Sequence, residues 1–358
     1  MAGTRPPGNA EAWWPALALV LLLVAITVLV GLASPSLQRV ATEMLIRVVI
    51  VVGAYIFIGN SGVLSFGHVG FMAVGAYVTA WLTIPVAQKP FILPDLPAFL
   101  ALTELPVFPA SLAAGAAAAL VALFFGIPLM RLSGIAASIG TFAMLVIIQS
   151  VFSHWDEMTG GASSLFGLPT YTTRWVALGW AVATIAAAFA YQRTRSGFRL
   201  RSSREDPVAA ASFGVSITRE RLVAFVISAF FVGIGGVLQA HFLGIVVADS
   251  FFLASTFLVI AMLVVGGIGS ASGAVIGVIV VTVLGEVLRR AEGGIDLGVV
   301  ALPARPGLRE VGLAVALLVI LIFRPRGLMG GFEIPVPSVL GRARGRRDAR
   351  IPTSESGK

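Results

Sequence analysis

Four polar residues lie close together at a break between two apolar runs, and they are the first candidates for binding chemistry. Asn60, Ser61 and Ser65 lie in or just after the uncharged segment GNSG at 59–62, and His68 follows within two helical turns. Where a membrane helix is interrupted beside a polar cavity, freed backbone groups and such side chains can bind a solute. The alternative is a tight turn between two helices, with His68 as a neutral, hydrogen-bonded packing residue.

A second candidate is a charged segment in the middle of the chain, RSSREDPVAAASFGVSITRER at 201–221. Asp206 is a good N-cap, Pro207 suits the first helical position, and Gly214 favours a helix end. These residues predict a short helix over 206–214. A helix of two turns is marginal in water, so it needs packing or a partner. Its small, alanine-rich surface suits docking in a groove of another protein, and the alternative is a solvated loop with a chance cap.

Several kinds of site are excluded by the residue types. The chain has no cysteine, which excludes disulfides and thiolate metal ligands. No pair of histidines and carboxylates has the spacing of metal ligands. The segment GGIGSASG at 266–273 lacks the Gly-Lys-Ser/Thr ending of a phosphate loop, and no strand precedes it. No catalytic residue and no metal site are therefore predicted, and this segment is interpreted as helix packing or a tight turn.

Membrane-spanning helices must position these residues. The chain of 358 residues is 58% hydrophobic and 12% charged, which is about half the charge of a soluble domain. Its apolar runs are long enough to cross a bilayer. The predicted fold is an all-α, polytopic transmembrane helical bundle with eight to ten spans. The spans are predicted at 14–33, 44–59, 63–84, 109–130, 134–153, 174–191, 222–243, 251–269, 272–290 and 310–323.

The distribution of Lys and Arg predicts the orientation. With a cytosolic N-terminus, the inside segments carry more than twice as many Lys and Arg as the outside segments. This bias explains the positive net charge better than a nucleic-acid partner does. The arginines at 289–309 fit this excess of Lys and Arg on the inside least well. The predicted organisation is a cytosolic N-terminus at 1–13, a transmembrane domain at 14–330 with a cytosolic loop at 192–221, and a disordered basic tail at 331–358 that attracts anionic lipid.

Four separated segments carry a resemblance to a known family. They are NSGVLSFGHVGFMAVGAY at 60–77, the long stretch from RSGFRLRSS to GVLQAH at 195–241, GGIGSASGAVIG at 266–277 and FRPRGLMG at 323–330. In this order they resemble the LivM-type permease subunits of branched-chain amino acid ABC importers. Within the second segment, Ala209-Ala210-x-x-x-Gly214 is similar to the coupling helix of importer permeases, although Val208 stands where many members have Glu.

The resemblance implies a non-enzymatic permease subunit in a bacterial inner membrane that imports branched-chain or related amino acids. The implied partners are a LivH-like second permease, two ATPase subunits and a periplasmic or extracellular substrate-binding protein. No cofactor is expected on this chain, since ATP and Mg would bind the ATPase subunits. The residues implied in coupling to the ATPase are Arg204, Glu205, Asp206, Ala209, Ala210 and Gly214.

Two other classes of membrane protein stay open on sequence alone. An ion-coupled secondary transporter of a small polar solute usually has paired charges inside the membrane. The charges within or edging a predicted span are Glu43, Arg47 and Glu286, all near span ends. A membrane enzyme would need a catalytic constellation, and the sequence shows none.

Overall fold

The protein is built almost entirely of helices. The computed structural model describes residues 9–161, 163–293, 295–296, 301–302 and 307–334. The elements in this part are α1 (Asn9–Gly31), α2 (Pro35–Ser61), α3 (His68–Thr83), α4 (Lys89–Ile92), α5 (Ala98–Ala101), α6 (Val107–Leu129), α7 (Gly134–His154), α8 (Asp156–Thr159), β1 (Leu165–Phe166), α9 (Arg174–Arg193), α10 (Arg195–Glu205), α11 (Pro207–Ser212), α12 (Ile217–Leu243), β2 (Ile245–Val246), a 3₁₀ turn (Ala248–Phe251), α13 (Leu253–Gly266), α14 (Ala271–Glu292), β3 (Ile295–Asp296), β4 (Ala301–Leu302) and α15 (Leu308–Phe323).

Each predicted span corresponds to one of the long helices. Eight helical segments within the described residues are long and apolar enough to cross a membrane. The helices α3 and α15 are shorter, with 16 residues each. Large apolar side chains point outward, among them Leu29, Leu120 and Phe124, which are 68%, 66% and 74% exposed. Such surfaces are stable against lipid rather than water. The prediction of an all-α polytopic bundle is confirmed.

The start of α2 differs from the prediction. A start near residue 44 was predicted, but the helix begins at Pro35 and has 27 residues. The added turns are charged but helix-compatible, and Arg47 Nη2 donates a hydrogen bond to Glu43 Oε1 one turn earlier. At 1.5 Å per residue, Arg47 lies roughly 18 Å from the first residue of α2. A span needs only about 20 of the 27 residues, so the position of this arginine near a span end stays a prediction.

Successive long helices run in opposite directions, so their connections gather at two ends. One end contains segments 59–67, 129–134, 193–217, 266–271 and 323–334, and we call it the arginine-rich end. Hydrogen bonds join these segments directly, for example from Arg221 Nη1 to Leu132 O at 3.1 Å. The opposite end contains the antiparallel pair of β1 with β2. There Gln149 Nε2 also donates to Asp249 Oδ1 at 3.1 Å.

The core is organised around α12, which packs against α2, α3 and α6. Glycines allow α12 and α3 to touch through their backbones. A Cβ atom on Gly236 would lie 1.9 Å from Met72 O, and one on Gly75 would lie 2.0 Å from Gly233 O. In lipid, small residues stabilise helix pairs by allowing this close approach. The GIGG segment at 233–236 therefore packs α12 against α3.

His241 has a structural role that the sequence analysis missed. It lies in the last turn of α12 and is fully buried. Its Nδ1 lies 2.7 Å from Pro169 O and must donate to that carbonyl. Its Nε2 is then the acceptor for Thr79 Oγ1 at 3.0 Å. The ring thus joins α12 to α3 and to the segment before α9.

Candidate functional site

The charged segment at 192–221 is folded into helices rather than a loop. Between α9 and α12 it forms α10 and α11, of which only the second was predicted. Thr194 starts α10, because its Oγ1 accepts a hydrogen bond from Gly197 N at 3.0 Å. Glu220 fastens α10 to α12: it accepts from Ser196 Oγ and lies 3.4 Å from Arg199 Nη1. The segment is therefore a folded part of the bundle.

The local chemistry of α11 is as the sequence predicts. Asp206 Oδ1 accepts hydrogen bonds from Val208 N and Ala209 N, both at 2.9 Å. Pro207 occupies the first helical position. Gly214, just beyond the helix, has a φ of +78°, which favours glycine. The predicted helix at 206–214 is confirmed, with its helical residues at Pro207–Ser212.

The exposed surface of α11 differs from the predicted one. Ala210 is only 6% exposed and packs against the protein itself, so the prediction that it is part of the exposed surface is wrong, while its role in coupling stays a prediction. Val208 and Phe213 are 79% and 87% exposed. Glu205, Asp206 and Gly214 are exposed as well, while Ala209 is half-buried. The free surface of α11 is therefore apolar at Val208 and Phe213 and polar at its start. We call Val208 and Phe213 the α11 apolar pair.

Three arginines of this segment bind the carboxyl ends of long helices. Arg204 Nη1 donates to Gly59 O in α2 at 2.6 Å. Arg201 Nη2 donates to Gln192 O in α9 at 2.7 Å, and Arg221 binds the turn that follows α6. Helix ends leave carbonyls unpaired and carry partial negative charge, so cations stabilise them. Arg204 therefore faces its own chain, and it connects α10 to the GNSG segment.

The segments GGIGSASG and FRPRGLMG meet at the same end. Leu328 N donates to Val265 O at 2.8 Å, and Met329 N donates to Gly266 O at 3.0 Å. Glu333 accepts from Ala271 N and Ser272 N at 2.9 and 3.0 Å and so caps α14. This carboxylate occupies the position that a phosphate would take at a helix start. The interpretation of GGIGSASG as packing and a turn is supported.

The four polar residues around GNSG form a buried turn. The helix α2 ends at Ser61, Gly62 has a φ of +72°, and α3 begins at His68. Asn60 Nδ2 donates to Ile56 O at 2.9 Å, and Ser61 Oγ accepts from Val63 N at 3.2 Å. Ser65 Oγ lies 2.8 Å from His68 Nδ1. All four side chains are buried.

The surroundings of this turn favour packing over a solute path. The His68 ring stacks on Phe57 with centroids 5.6 Å apart, and it also meets the rings of Phe71 and Phe225. From α7, Thr141 Oγ1 accepts from Phe66 N at 3.2 Å. A role for Asn60, Ser61, Ser65 and His68 in transport stays a prediction that this geometry does not favour.

The Asp206 cap makes a local prediction. Replacing Asp206 with alanine removes the acceptor of two backbone N–H groups and should cost α11 about 1 kcal/mol. Hydrogen exchange of the Val208 and Ala209 amides in detergent should then be faster, by about fivefold. Asp206→Asn keeps an acceptor and should exchange near the wild-type rate. Equal protection in the alanine variant would mean that packing alone holds α11.

Comparison with known proteins places these features in a family. Residues 36–323 match the model described as "Branched-chain amino acid transport system / permease component". The permease protein LivM of Escherichia coli K12, from a high-affinity branched-chain amino acid transport system, is 28% identical over 87% of this chain and 74% of its own length. LivM of Salmonella typhimurium LT2 is 27% identical over 92% of this chain and 78% of its own.

A second group of relatives carries a different name. The galactose/methyl galactoside import permease MglC of Salmonella typhimurium LT2 is 27% identical over 74% of this chain and 83% of its own length. The family match covers most of the chain, including the three segments at 60–77, 195–241 and 266–277, and it ends at the first residue of the segment at 323–330. The chain is therefore a multi-pass membrane protein that belongs to the branched-chain amino acid transport system permease family.

Proposed function

We propose that this chain is the transmembrane permease subunit of an ATP-driven ABC importer for branched-chain or related amino acids. The observation that carries the proposal is the α11 apolar pair. Val208 and Phe213 are exposed at the arginine-rich end, between the candidate spans Arg174–Arg193 and Ile217–Leu243, where we expect no cover by lipid. Exposed apolar residues at such a place fit a protein partner. An ATPase subunit is the partner that an importer permease requires at its cytosolic end.

The connections of α11 to neighbouring helices would allow a movement of α11 to shift the bundle. Asp206 joins α11 directly to α10. Arg204 then ties α10 to the carboxyl end of α2, and Glu220 ties it to the start of α12. A displacement of α11 by a closing ATPase would therefore be passed to α2 and α12. Because these two helices pack along each other through the core, their movement can open one end of the bundle and close the other.

The partners and the substrate class extend this proposal. A permease component is one part of a transport system, and we propose a second LivH-like permease, two ATPase subunits and an external substrate-binding protein as the others. ATP and Mg would bind the ATPase subunits, and the bacterial inner membrane is the proposed location. An amino acid is preferred to a sugar as cargo, because the relatives named for branched-chain amino acids match more of the chain.

Uptake by the reconstituted complex tests the function. Proteoliposomes holding this chain with its partner subunits should accumulate labelled leucine when ATP and the binding protein are supplied. A non-hydrolysable ATP analogue should abolish accumulation, and ionophores that dissipate ion gradients should not. Labelled galactose is the matched cargo control. Uptake driven by an ion gradient without ATP would support the secondary transporter instead.

A further inference from the structure

A groove with a charged wall runs between α2, α12 and α13, away from the α11 surface. It encloses a cavity of about 220 Å³. Its polar wall includes Glu43, Arg47, Gln239 and Ser255. We call this feature the charged groove. Apolar residues of α2 and α13 also line the groove, among them Ile50, Val259 and Met262, which are 3%, 9% and 0% exposed.

The charged pair lies toward the end of the bundle that contains β2, because the groove is also lined by Leu243, Ile245 and Val247. Arg47 is roughly 18 Å from one end of α2 and roughly 21 Å from the other, at 1.5 Å per residue. A short distance along α2, Gly53 O accepts a hydrogen bond from Ser228 Oγ in the middle of α12 at 2.8 Å. Lipid cannot solvate ionised side chains on an otherwise apolar helix, so such side chains face a polar path or a protein partner.

The pair is only partly covered by its own chain. Arg47 and Glu43 form an ion pair, yet their side chains remain 19% and 36% exposed toward the groove. An arginine has five N–H donors, and the hydrogen bond from Arg47 to Glu43 uses only one of them. The Glu43 carboxylate likewise keeps acceptor positions. The two groups can therefore bind a further molecule that carries both charges.

We propose that the charged groove holds the amino-acid cargo on its way across the membrane, an inference that rests on the proposed import function. Arg47 binds the cargo carboxylate through its guanidinium fork, and Glu43 accepts hydrogen bonds from the cargo ammonium. The apolar residues Val259 and Met262 contact the aliphatic side chain. Adjacent opposite charges beside apolar side chains match the shape of an aliphatic amino acid, whose two charged groups share one carbon.

Cysteine labelling locates the cargo directly. The chain has no cysteine of its own, so Ser255→Cys gives this chain a single thiol in the groove. In the assembled complex with its binding protein, a small, charged methanethiosulfonate reagent should modify it. Leucine should slow the modification by about tenfold when it occupies the site at ten times its dissociation constant. Ser34→Cys, exposed just before α2 and outside the groove, should be modified equally with and without leucine.

Two outcomes of this labelling would overturn the proposal. Modification of Ser255→Cys at one rate with and without leucine, in a complex that transports leucine, means that cargo does not enter the groove. A thiol that reacts in the isolated chain but not in the assembled complex means that the groove is a contact surface for the second permease. A complex that transports no amino acid would instead contradict the import function itself.

Neutralising the pair separates cargo binding from a structural role. A purely structural ion pair can often be replaced as a unit, because removing both charges leaves no unpaired one. The double variant Glu43→Gln with Arg47→Gln should therefore fold. If the pair is only structural, leucine should protect Ser255→Cys in this variant at the same concentrations as before. If the pair binds cargo, half-maximal protection should need at least about tenfold more leucine in the double variant. Arg39→Gln, on the same helix but outside the groove, is the matched control and should change nothing. Unaltered protection in the double variant would contradict cargo binding by this pair.

Discussion

Replacing Phe213 with aspartate is expected to abolish ATP-driven transport while leaving the protein folded. The ring is 87% exposed, so the substitution removes no internal packing. In a complex the same ring would be buried in an ATPase groove, where a carboxylate without a partner is strongly disfavoured. Losing an apolar anchor of this kind costs at least about 2 kcal/mol, or roughly 30-fold in affinity. Leucine uptake and ATP hydrolysis stimulated by the loaded binding protein should both fall by that factor or more.

Two matched variants show whether the effect belongs to this surface. Phe213→Leu keeps an apolar side chain and should retain most of the stimulated hydrolysis. Ser202→Asp adds the same charge on the exposed side of α10 and should leave the ATPase subunit bound. Co-purification of the ATPase subunit is the direct readout. If the Phe213→Asp complex purifies intact and hydrolyses ATP at the wild-type rate, α11 is not the docking helix.

Ala210 illustrates why the exposed surface had to come from the structure. In the sequence, Ala210 lies in the alanine-rich middle of α11, and this position predicts that it belongs to a small-residue surface. Yet Val215 N donates to Ala210 O at 3.1 Å, and the side chain is 6% exposed. A bulky charge at Ala210 would disturb the fold and could not report on docking. Which side of a two-turn helix faces inward depends on its neighbours, and local sequence does not contain them.

The extent of the helices was predictable where hydrophobicity defines them. Each predicted span has a helix, because a long apolar run has few stable alternatives to a membrane helix. The errors lie where charged residues continue a helix, as at the start of α2 and throughout α10. There the apolar signal ends but helical hydrogen bonding does not. Residues 335–358 of the basic tail predicted at 331–358 lie outside the described residues, as do residues 1–8.

The site was predictable only in its short-range part. The α11 cap joins Asp206 to residues two and three positions away, and residue types at that spacing identify it. Arg204 and Gly59 are 145 positions apart, and Glu333 is 61 and 62 positions from Ser272 and Ala271. No local pattern pairs such residues. The motifs at 59–62, 201–221, 266–273 and 323–330 were each noticeable, but their meeting at one end required the fold.

These long-range contacts give the arginines of the central segment a purpose beyond orientation. Arg201, Arg204 and Arg221 each bind a carbonyl at the carboxyl end of a long helix or just after it. They are therefore positioned to stabilise the bundle and to transmit movement from α11. Under the proposed function, the exposed positions on α11 contact the ATPase subunit. The charged segment in the middle of this apolar chain would then both stabilise one end of the bundle and bind the subunit that drives transport.

Replacing Gly236 with leucine is expected to destroy the folded bundle. Even a Cβ atom at this position would lie 1.9 Å from Met72 O, which belongs to the backbone of α3. No side-chain rotation relieves such an overlap, so α12 and α3 must separate. Overpacking in cores costs about 1–3 kcal/mol where side chains can adjust. Here the cost should reach the upper end of that range or exceed it. Thermal unfolding in detergent, followed by size-exclusion chromatography, should show little folded protein.

Gly179 provides the matched control for this prediction. It lies within α9, and a Cβ atom there would have no heavy atom within 4 Å. Gly179→Leu adds the same side chain to a long helix but overlaps nothing, and leucine has a better helix propensity than glycine by about 0.8 kcal/mol. Its Tm should therefore equal or exceed that of the wild type. If Gly236→Leu were as stable as Gly179→Leu, the backbones of α12 and α3 could not be in contact. His241 could then not form its hydrogen bonds to Thr79 and Pro169, because its position depends on the same helix pair.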